Sequence, residues 1–516
     1  MSRTRKAAVL AAFTYVQYAL AIVTGIILVP LILRHLGART YGLWLTTGEL
    51  LAYASMVELG VLGVLPWMIA EADGVANRVA MRRLVSNGLA VGYFVAAGFV
   101  LVAVALWWMG PALGLSAVDR ATIGPPLVVI AAATAVTYPL RVYRALLAGL
   151  QDVVFNGALG IAEASIIASV TIIMLVKGYG IYALACAAAA ASIFGTIAGA
   201  IRASYIAPDL VWQWRWPPAG DLRMLLGNGL GIWFGTFGWQ VIAASNSIVI
   251  TYIGHPEWVP VYSCTLKLCM LLTQLGWVLP DSGLIGLAQL NGEHPGSVRL
   301  AGRVTALLQL HLLLAGASVC GVLAFNPAFV TRWVGGTFFA GLEINAVFAA
   351  CIVTSSIVHG CMTAAGVLGR RMQVGVVTLT NAALQVPCAI VLGHRFGLRG
   401  IAAAALISTL LTTLPGGVQL LRWSTTVTLG QFVTESIGPW LRRFAPLATL
   451  AALVGALYES LGMGFAALAS VGIGLLYLWQ MRPLYHVLPL DPRWVAWMVS
   501  VRLMPPVPSA SPIEQS

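Results

Sequence analysis

Charged side chains are scarce in this sequence. Asp, Glu, Lys and Arg make up only 9% of the 516 residues, whereas hydrophobic residues make up 59%. An ordinary soluble domain has about 25% charged residues, so this composition excludes a water-soluble fold. The seven Cys residues have no C-x-x-C spacing and fall within or beside apolar stretches, which indicates small core residues rather than disulfides or metal ligands.

Motifs of nucleotide-binding and catalytic sites are lacking as well. The chain has no G-x-x-x-x-G-K-[ST] loop, no dinucleotide fingerprint, no H-E-x-x-H pair and no G-x-S-x-G elbow. These absences argue against an ATP-driven pump within this chain. The segments that connect the hydrophobic stretches on the outer side of the membrane are predicted to be too short to form a catalytic domain. We therefore expect no enzyme activity, no cofactor and no metal.

Long hydrophobic stretches are what the sequence does contain. A helix of about 20 apolar residues crosses a hydrocarbon layer of roughly 30 Å, and such stretches follow one another with short polar breaks. They predict an all-α polytopic membrane protein with about 14 transmembrane helices. The stretches are 8–33, 41–66, 84–110, 122–146, 155–176, 180–201, 224–253, 260–290, 303–326, 338–368, 373–393, 399–421, 440–461 and 464–481.

The basic residues are distributed unevenly between the two sides of these spans. If the N-terminus is cytoplasmic, most of the 29 Lys and Arg residues fall on that side, including Arg82, Arg83, Arg370 and Arg371. The positive-inside rule then predicts that both termini are cytoplasmic. Because topology explains the net charge of +12, the charge does not indicate a nucleic-acid partner.

The chain also repeats itself at an offset of about 217 residues. Leu36-Gly37 recurs as Ile253-Gly254, Ala148-Gly149 as Ala365-Gly366, and the run beginning at Gly180 as the run beginning at Gly397. Since each copy would contain six spans, the copies share one orientation and are predicted to be parallel lobes, as in some transporters.

The repeat predicts a domain organisation. We expect an N-terminal six-helix lobe at 1–205, a cytoplasmic linker at 206–223 and a C-terminal six-helix lobe at 224–422. Two additional transmembrane helices at 423–482 have no counterpart in the repeat. The cytoplasmic tail at 483–516 is rich in Pro and is expected to be disordered.

Ionisable residues inside the spans are the candidate functional residues, because a charge at the centre of a bilayer costs roughly 2.5–3.5 kcal/mol on insertion scales. Such residues need partners, protons or a watery cavity. They are Glu49, Glu58, Glu163, Lys267, Asp281, His311 and His359.

Three basic residues are candidates for binding an anionic substrate. Arg141 and Arg144 are three residues apart, on one helix face with Tyr138, and two guanidinium groups can hold phosphate in forked geometry. Alternatively, both reach the cytoplasmic surface and serve topology. Lys267 lies deeper and is predicted to line a cavity, with a salt bridge to a buried acid as the alternative.

The remaining ionisable residues are candidates for gating or ion coupling. Glu58, Glu163 and Asp281 can lock lobes together or couple a cation, and Glu49 belongs to the same group. His311 and His359 can carry protons, although a membrane histidine is more often a hydrogen-bonded packing residue.

Three segments resemble the polysaccharide-transporter family, which includes O-antigen and lipid-linked oligosaccharide flippases and belongs to the superfamily that also holds multidrug extruders. The first segment runs from Leu28 to Trp44. The second is Glu58-Leu59-Gly60 followed by Ile69-Ala70-Glu71, which is similar to the family's acidic-Leu-Gly motif. The third is Arg144 with Gly149-Leu150-Gln151.

The resemblance is clearest over 25–155 and implies positions for several residues. Arg34 and Arg39 would lie at the outer mouth, Glu58 and Glu71 near the inner gate, and Arg144 beside the inner end of the central cavity. The chain departs from the family at Glu58, where Asp is frequent, and at Trp67, where a basic residue is frequent.

The sequence thus predicts a flippase of the bacterial inner membrane. Its substrate would be a polyprenyl-pyrophosphate-linked oligosaccharide, turned to the outer face by alternating access during polysaccharide biosynthesis. The expected partners are this lipid-linked oligosaccharide, membrane lipids and other membrane proteins of polysaccharide assembly. A multidrug extruder of the same superfamily, a membrane-embedded polymerase or ligase, and a scaffold remain as alternatives.

Overall fold

The structure, a computed structural model, describes residues 3–211, 218–281, 283, 284, 287, 290, 291, 297–425 and 429–487. These residues are almost entirely helical and contain no β-strand. The predicted all-α class is therefore confirmed. Residues 212–217 of the predicted linker and 488–516 of the predicted tail lie outside the described residues.

The described residues divide into two compact units, Met1–Pro260 and Val261–Ser516. The lobe boundaries expected at 205 and 224 stay predictions. The helices of the first unit are α1 (Arg3–Ser55), α2 (Val61–Gly74), α3 (Arg78–Trp108), α4 (Ala117–Thr137), α5 (Arg141–Gly149), α6 (Val153–Val176), α7 (Tyr182–Ile206) and α8 (Ala219–Tyr252).

The second unit contains the remaining helices, and α9 begins just before the division. They are α9 (Trp258–Asp281), α10 (Val298–Trp333), α11 (Leu342–Ala365), α12 (Arg371–Ser408), α13 (Leu414–Ser424), α14 (Leu429–Phe432), α15 (Gly438–Ala456) and α16 (Tyr458–Gln480). One-turn π-helical segments at Gly366–Arg370 and Thr409–Thr413 join α11 to α12 and α12 to α13.

Nine helical stretches of the described residues are long and apolar enough to cross a membrane. Two of these stretches, Tyr15–Glu58 and Leu342–Ser424, each extend over more than one predicted span, because the helix continues through a bend. The spans predicted at 224–253 and 440–461 form α8 and α15, which are not among the nine.

Several predicted spans are interrupted. The span expected at 41–66 breaks after Ser55, where a 3₁₀ turn (Met56–Glu58) is followed by Leu59 and Gly60, both with positive φ. The span expected at 122–146 breaks between α4 and α5. Apolar periodicity does not reveal such interruptions, because the residues on both sides remain hydrophobic.

The internal repeat is visible in the backbone. Gly37 and Gly254 have φ of 74° and 92°, and Gly180 and Gly397 both have φ of 58°. Residues other than glycine rarely adopt positive φ, so glycines at matching offsets give both copies a positive φ at the same positions.

Candidate functional site

Four predicted residues line one cavity of about 590 Å³ in the first unit. They are Glu58, Arg141, Arg144 and Glu163, and we call this space the charged cavity. The hydroxyl-bearing residues Ser192 and Thr196 of α7 also line it. Glu58 lies in the turn after α1, Arg141 and Arg144 lie in α5, and Glu163 lies in α6. Only the folded chain brings these four residues together.

Helix α5 places both arginines at this cavity. It has only nine residues and is strongly amphipathic, with Val142, Tyr143 and Leu146 buried on its other face. Arg141 and Arg144 are at positions i and i+3, so they share the face opposite this buried stripe.

Arg144 and Glu163 form a forked ion pair. Nη1 of Arg144 donates to Oε1 of Glu163 at 2.7 Å, and Nη2 donates to Oε2 at 2.9 Å. The arginine side chain is 44% exposed, whereas the glutamate side chain is 19% exposed. The pair therefore joins α5 to α6 at a site where water reaches the cation more easily than the anion.

Gly195 of α7 makes room for this pair. A methyl group added at Gly195 would overlap Oε1 of Glu163. The close approach requires glycine because any side chain at this position would push the carboxylate away from its observed place.

Arg141 has a different environment. Its guanidinium lies 4.5 Å from the centroid of the Tyr138 ring, a cation–π distance. The Tyr138 hydroxyl donates to Oε2 of Glu58 at 2.9 Å and lies 3.1 Å from the carbonyl oxygen of Ser55. Arg141 is half-buried and has no carboxylate partner within 4.0 Å among the described residues. Arg141 acts electrostatically on Glu58 without a direct ion pair, so its guanidinium keeps N–H groups that an anion in the cavity can contact.

Glu49 lies apart from the charged cavity, on α1. Its Oε2 accepts a hydrogen bond of 3.4 Å from Nε2 of Gln240 on α8. This contact supports packing between α1 and α8, and Glu49 does not line the cavity.

Arg39 is held by acids of the first unit. It forms a fork with Asp119, with Nε to Oδ1 at 3.1 Å and Nη2 to Oδ2 at 2.9 Å, and it also contacts Glu257 at 3.3 Å. Asp119 simultaneously completes the capping box of α4 with Ser116. Arg39 thus fastens the bend of α1 to the start of α4, whereas Arg34 is exposed.

A second cluster lies within the second unit. Nε2 of His359 is 3.1 and 3.0 Å from the two oxygens of Asp281, and Nε2 of His311 is 4.0 Å from Oδ1 of Asp281. The residues come from three helices, since Asp281 ends α9, His311 lies in α10 and His359 lies in α11. We call them the Asp–His–His cluster.

The His359 ring is held by a flat aromatic contact. It stacks on Trp277 with centroids 3.9 Å apart and an interplanar angle of 3°. Nε1 of Trp277 donates to Oγ of Ser356 at 3.2 Å. The sequence did not predict this contact, although Trp277 and Asp281 are four residues apart and so lie on one helix face.

Lys267 belongs to neither cluster. It is exposed on α9 and forms no ion pair within the second unit as far as the structure describes it. Asp281 lies 14 residues further along the same helix, which corresponds to about 21 Å of rise. The cavity role of Lys267 stays a prediction.

Two further cavities are mainly apolar. One of about 890 Å³ in the first unit is lined by residues of α3 and α4, including Trp107 and Arg120. Another of about 500 Å³ in the second unit includes Phe432 and Arg422. Each has a single charged residue in its lining, so neither resembles the charged cavity chemically.

The two clusters are absent from the opposite copy of the repeat. At an offset of 217 residues, Glu58, Arg141, Arg144 and Glu163 correspond to uncharged residues, and so do Asp281, His311 and His359. The duplicated backbone therefore carries different chemistry in each copy.

Solved structures with the same fold are transporters. An inward-facing multidrug-resistance MATE transporter of the MOP superfamily matches with a TM-score of 0.61 and 14% identity, over 79% of this chain and 95% of that one. The lipid II flippase MurJ in an inward closed conformation matches with 0.65 and 12%, over 92% and 98%. An outward-facing MATE transporter matches with 0.57 and 14%, over 81% and 96%.

No protein-family model matches the sequence, and no curated protein matches it significantly. At 12% to 14% identity the structural matches establish the fold alone. The chain is a multi-pass helical membrane protein with the fold of MOP-superfamily transporters.

Proposed function

We propose that this protein is a flippase for a lipid-linked oligosaccharide whose carrier is a polyprenyl pyrophosphate. A sugar head and a pyrophosphate do not cross hydrocarbon unaided, because their polar groups lose hydrogen bonds to water. A transporter must offer a polar, cationic path while the isoprenoid chain remains in the lipid.

The observation that carries this proposal is Arg141 in the charged cavity. Its guanidinium is half-buried beside Tyr138 and has no carboxylate within 4.0 Å in the described part of the chain. A planar guanidinium binds phosphate oxygens through two parallel hydrogen bonds, which gives both strength and orientation.

The neighbouring ion pair supplies a mechanism for coupling binding to movement. Arg144 forms a forked ion pair with Glu163. A pyrophosphate bound to Arg141 therefore competes with Glu163 for the guanidinium of Arg144. When the phosphate takes Arg144, the contact between α5 and α6 is released. Substrate binding thereby favours a conformation in which these helices can separate, as population shift requires.

A multidrug extruder is the second candidate function, because MATE transporters share the fold. A site for organic cations would leave an acid free in the cavity. Here both acids of the cavity are engaged. Glu163 is forked to Arg144, and Glu58 accepts from Tyr138 and interacts electrostatically with Arg141. The match to MurJ also extends over 92% of the chain, against 79% and 81% for the two MATE structures. Both observations favour an anionic, lipid-linked substrate.

A membrane-embedded polymerase or ligase is the third candidate. It would require acids and bases grouped around a reacting bond, whereas the acids of the charged cavity are engaged by arginine and tyrosine. We therefore propose transport without a chemical step.

The proposed setting is the bacterial inner membrane, with both termini in the cytoplasm and the pyrophosphate taken up from that side. Asp281, His311, His359 and Glu49 do not line the charged cavity, so in this proposal the first contact with substrate rests on Arg141 and Arg144. Lys267 is proposed as a later contact on the path.

A deletion strain tests this proposal in the cell. Without the protein, lipid-linked oligosaccharide should accumulate facing the cytoplasm, and the wild-type gene but not Arg141→Ala should restore its arrival at the outer leaflet. The matched control is Arg299→Ala, which removes an exposed arginine of α10 and should restore arrival fully. Normal arrival in the deletion strain would refute the proposal.

A further inference from the structure

The Asp–His–His cluster presents three metal-binding atoms to one point. Its carboxylate oxygen and two imidazole nitrogens all lie within 4.8 Å of one another. Zinc–nitrogen and zinc–oxygen bonds are roughly 2.0–2.2 Å long, so ligand atoms around one ion are about 3–4 Å apart. Oδ1 of Asp281 lies 3.1 Å from Nε2 of His359 and 4.0 Å from Nε2 of His311, and both separations are in this range.

The tautomer of His311 strengthens this interpretation. Nδ1 of His311 lies 2.9 Å from the carbonyl oxygen of Leu307, and a carbonyl only accepts, so Nδ1 carries the hydrogen. In the neutral ring Nε2 then presents a lone pair towards Asp281. The side chain is completely buried, and Nε2 has no hydrogen-bond partner among the described residues.

A lone pair that faces a carboxylate oxygen at 4.0 Å is unfavourable unless a positive charge lies between the two groups. A buried polar atom left without a partner costs about 1–3 kcal/mol. A cation bound by both atoms removes this cost, and the same cation is within reach of Nε2 of His359.

The surroundings also resemble those of metal-ligating histidines. The backbone carbonyl of Leu307 fixes one ring through its Nδ1, which is the usual outer contact of such a ligand. Stacking on Trp277 fixes the other ring. The orientation of both nitrogens is therefore set before a ligand arrives.

We propose that Asp281, His311 and His359 form a binding site for a divalent transition-metal ion of the zinc type. Two imidazoles and one carboxylate suit zinc, cobalt or nickel, whereas magnesium and sodium prefer oxygen ligands. Three protein ligands leave at least one coordination position open. The Asp281 side chain is 36% exposed, so water or a substrate oxygen would reach the open coordination position from its exposed side.

Such a site would fasten three helices of the second unit, because its ligands lie on α9, α10 and α11. The sequence alone predicts no metal, since the three residues are far apart in the chain and form no known motif. The inference concerns a site distinct from the charged cavity and does not depend on the flippase proposal.

Metal titration of the purified full chain tests the inference. The protein should carry no polyhistidine tag and be treated with chelator before zinc or cobalt(II) is added. We expect one equivalent to bind, with visible cobalt absorption of a site that includes nitrogen ligands. Millimolar magnesium or sodium should not displace the ion.

Two conservative variants and one control identify the ligands. Asp281→Asn and His311→Gln should each weaken zinc binding at least about 10-fold, the loss that even an outer contact of a metal site can cause. His35→Gln, which removes an exposed histidine of the first unit, should bind as the wild type does. A thermal melt in detergent verifies that each variant is folded.

Three results would overturn the inference. The first is the absence of stoichiometric zinc or cobalt binding by folded wild-type protein. The second is unchanged affinity in both cluster variants, which would place the ion elsewhere. The third is displacement of the ion by sodium at millimolar concentration, which would contradict the assignment of nitrogen ligands.

Discussion

Replacing Glu163 by Gln should make the charged cavity bind pyrophosphate more tightly. The substitution keeps the size of the side chain and removes the charge that occupies the Arg144 guanidinium. In the wild-type protein, an incoming pyrophosphate has to displace this carboxylate from two hydrogen bonds of 2.7 and 2.9 Å. In the variant, Arg144 is available at once.

The structure sets the size of the effect. A hydrogen bond to a charged group is worth about 1.5–3 kcal/mol, but exposed ion pairs contribute only about 0.2–1 kcal/mol. Arg144 is 44% exposed and Glu163 is 19% exposed, so we place the pair near the upper end of the exposed range, at about 1 kcal/mol. This corresponds to a roughly five-fold lower dissociation constant.

Isothermal titration of the purified protein with inorganic pyrophosphate measures this constant. Glu58→Gln is the comparison variant, because it removes the same charge from the same cavity and relieves only an indirect electrostatic contact with Arg141, without breaking a forked ion pair. Its effect should be smaller than that of Glu163→Gln. Arg144→Gln should weaken binding, since it removes a cation and leaves a mostly buried carboxylate without its partner.

The competition mechanism would be refuted by unchanged or weaker binding in Glu163→Gln. An equal gain in both glutamine variants would also refute it, because the gain would then reflect the overall charge of the cavity and not the release of one guanidinium. Melts in detergent distinguish these outcomes from unfolding.

Three further substitutions test other parts of the account. Gly195→Ala should disturb the Glu163 ion pair by steric overlap and so tighten pyrophosphate binding in the same titration, though less than Glu163→Gln; weaker binding would contradict this. Gly397→Ala should lower the free energy of unfolding by about 1–3 kcal/mol, because Gly397 has a positive φ. Gly366→Ala is the control, since Gly366 has a helical φ of −63°, and it should be nearly neutral in the same unfolding measurement. Equal effects of the two substitutions would argue against strain at the bend. Lys267→Ala should reduce transport without loss of protein from the membrane, and unchanged transport would remove Lys267 from the path.

The class of the fold could be predicted from the sequence because hydrophobic length is a direct consequence of bilayer thickness. The duplicated bends could be predicted in part, since Gly37 recurs as Gly254 and Gly180 recurs as Gly397 at one offset. The break after Ser55 could not, because it depends on backbone angles at Leu59 and Gly60 within a stretch that stays apolar.

The members of the charged cavity could be chosen from the sequence, but their pairing could not. The cost of charge in a bilayer singled out Glu163, and spacing placed Arg141 and Arg144 on one face. Which arginine meets the acid depends on how α5 packs beside α6. The same reasoning identified His311 and His359 one at a time, whereas their meeting with Asp281 required the packing of three helices.

The depth of a residue in the membrane is also a different property from the fraction of its side chain that the protein covers. The position of Lys267 within its span predicts a cavity role, and its exposure on α9 is what either a watery cavity or a lipid-facing surface would give. The sequence did not reveal which face of a hydrophobic helix is covered, because lipid and protein interior favour the same residues.

The most direct test of the central claim is flipping by the purified protein in liposomes. A fluorescent polyprenyl-pyrophosphate oligosaccharide is placed in both leaflets, and a membrane-impermeant quencher reports how fast the protected molecules become accessible. We predict rapid flipping by the wild type and by Arg299→Ala, and a loss of about 10-fold or more for Arg141→Ala, because one charged hydrogen-bonding group is worth about 1.5–3 kcal/mol. No acceleration by the wild-type protein, or equal rates for both variants, would contradict the account.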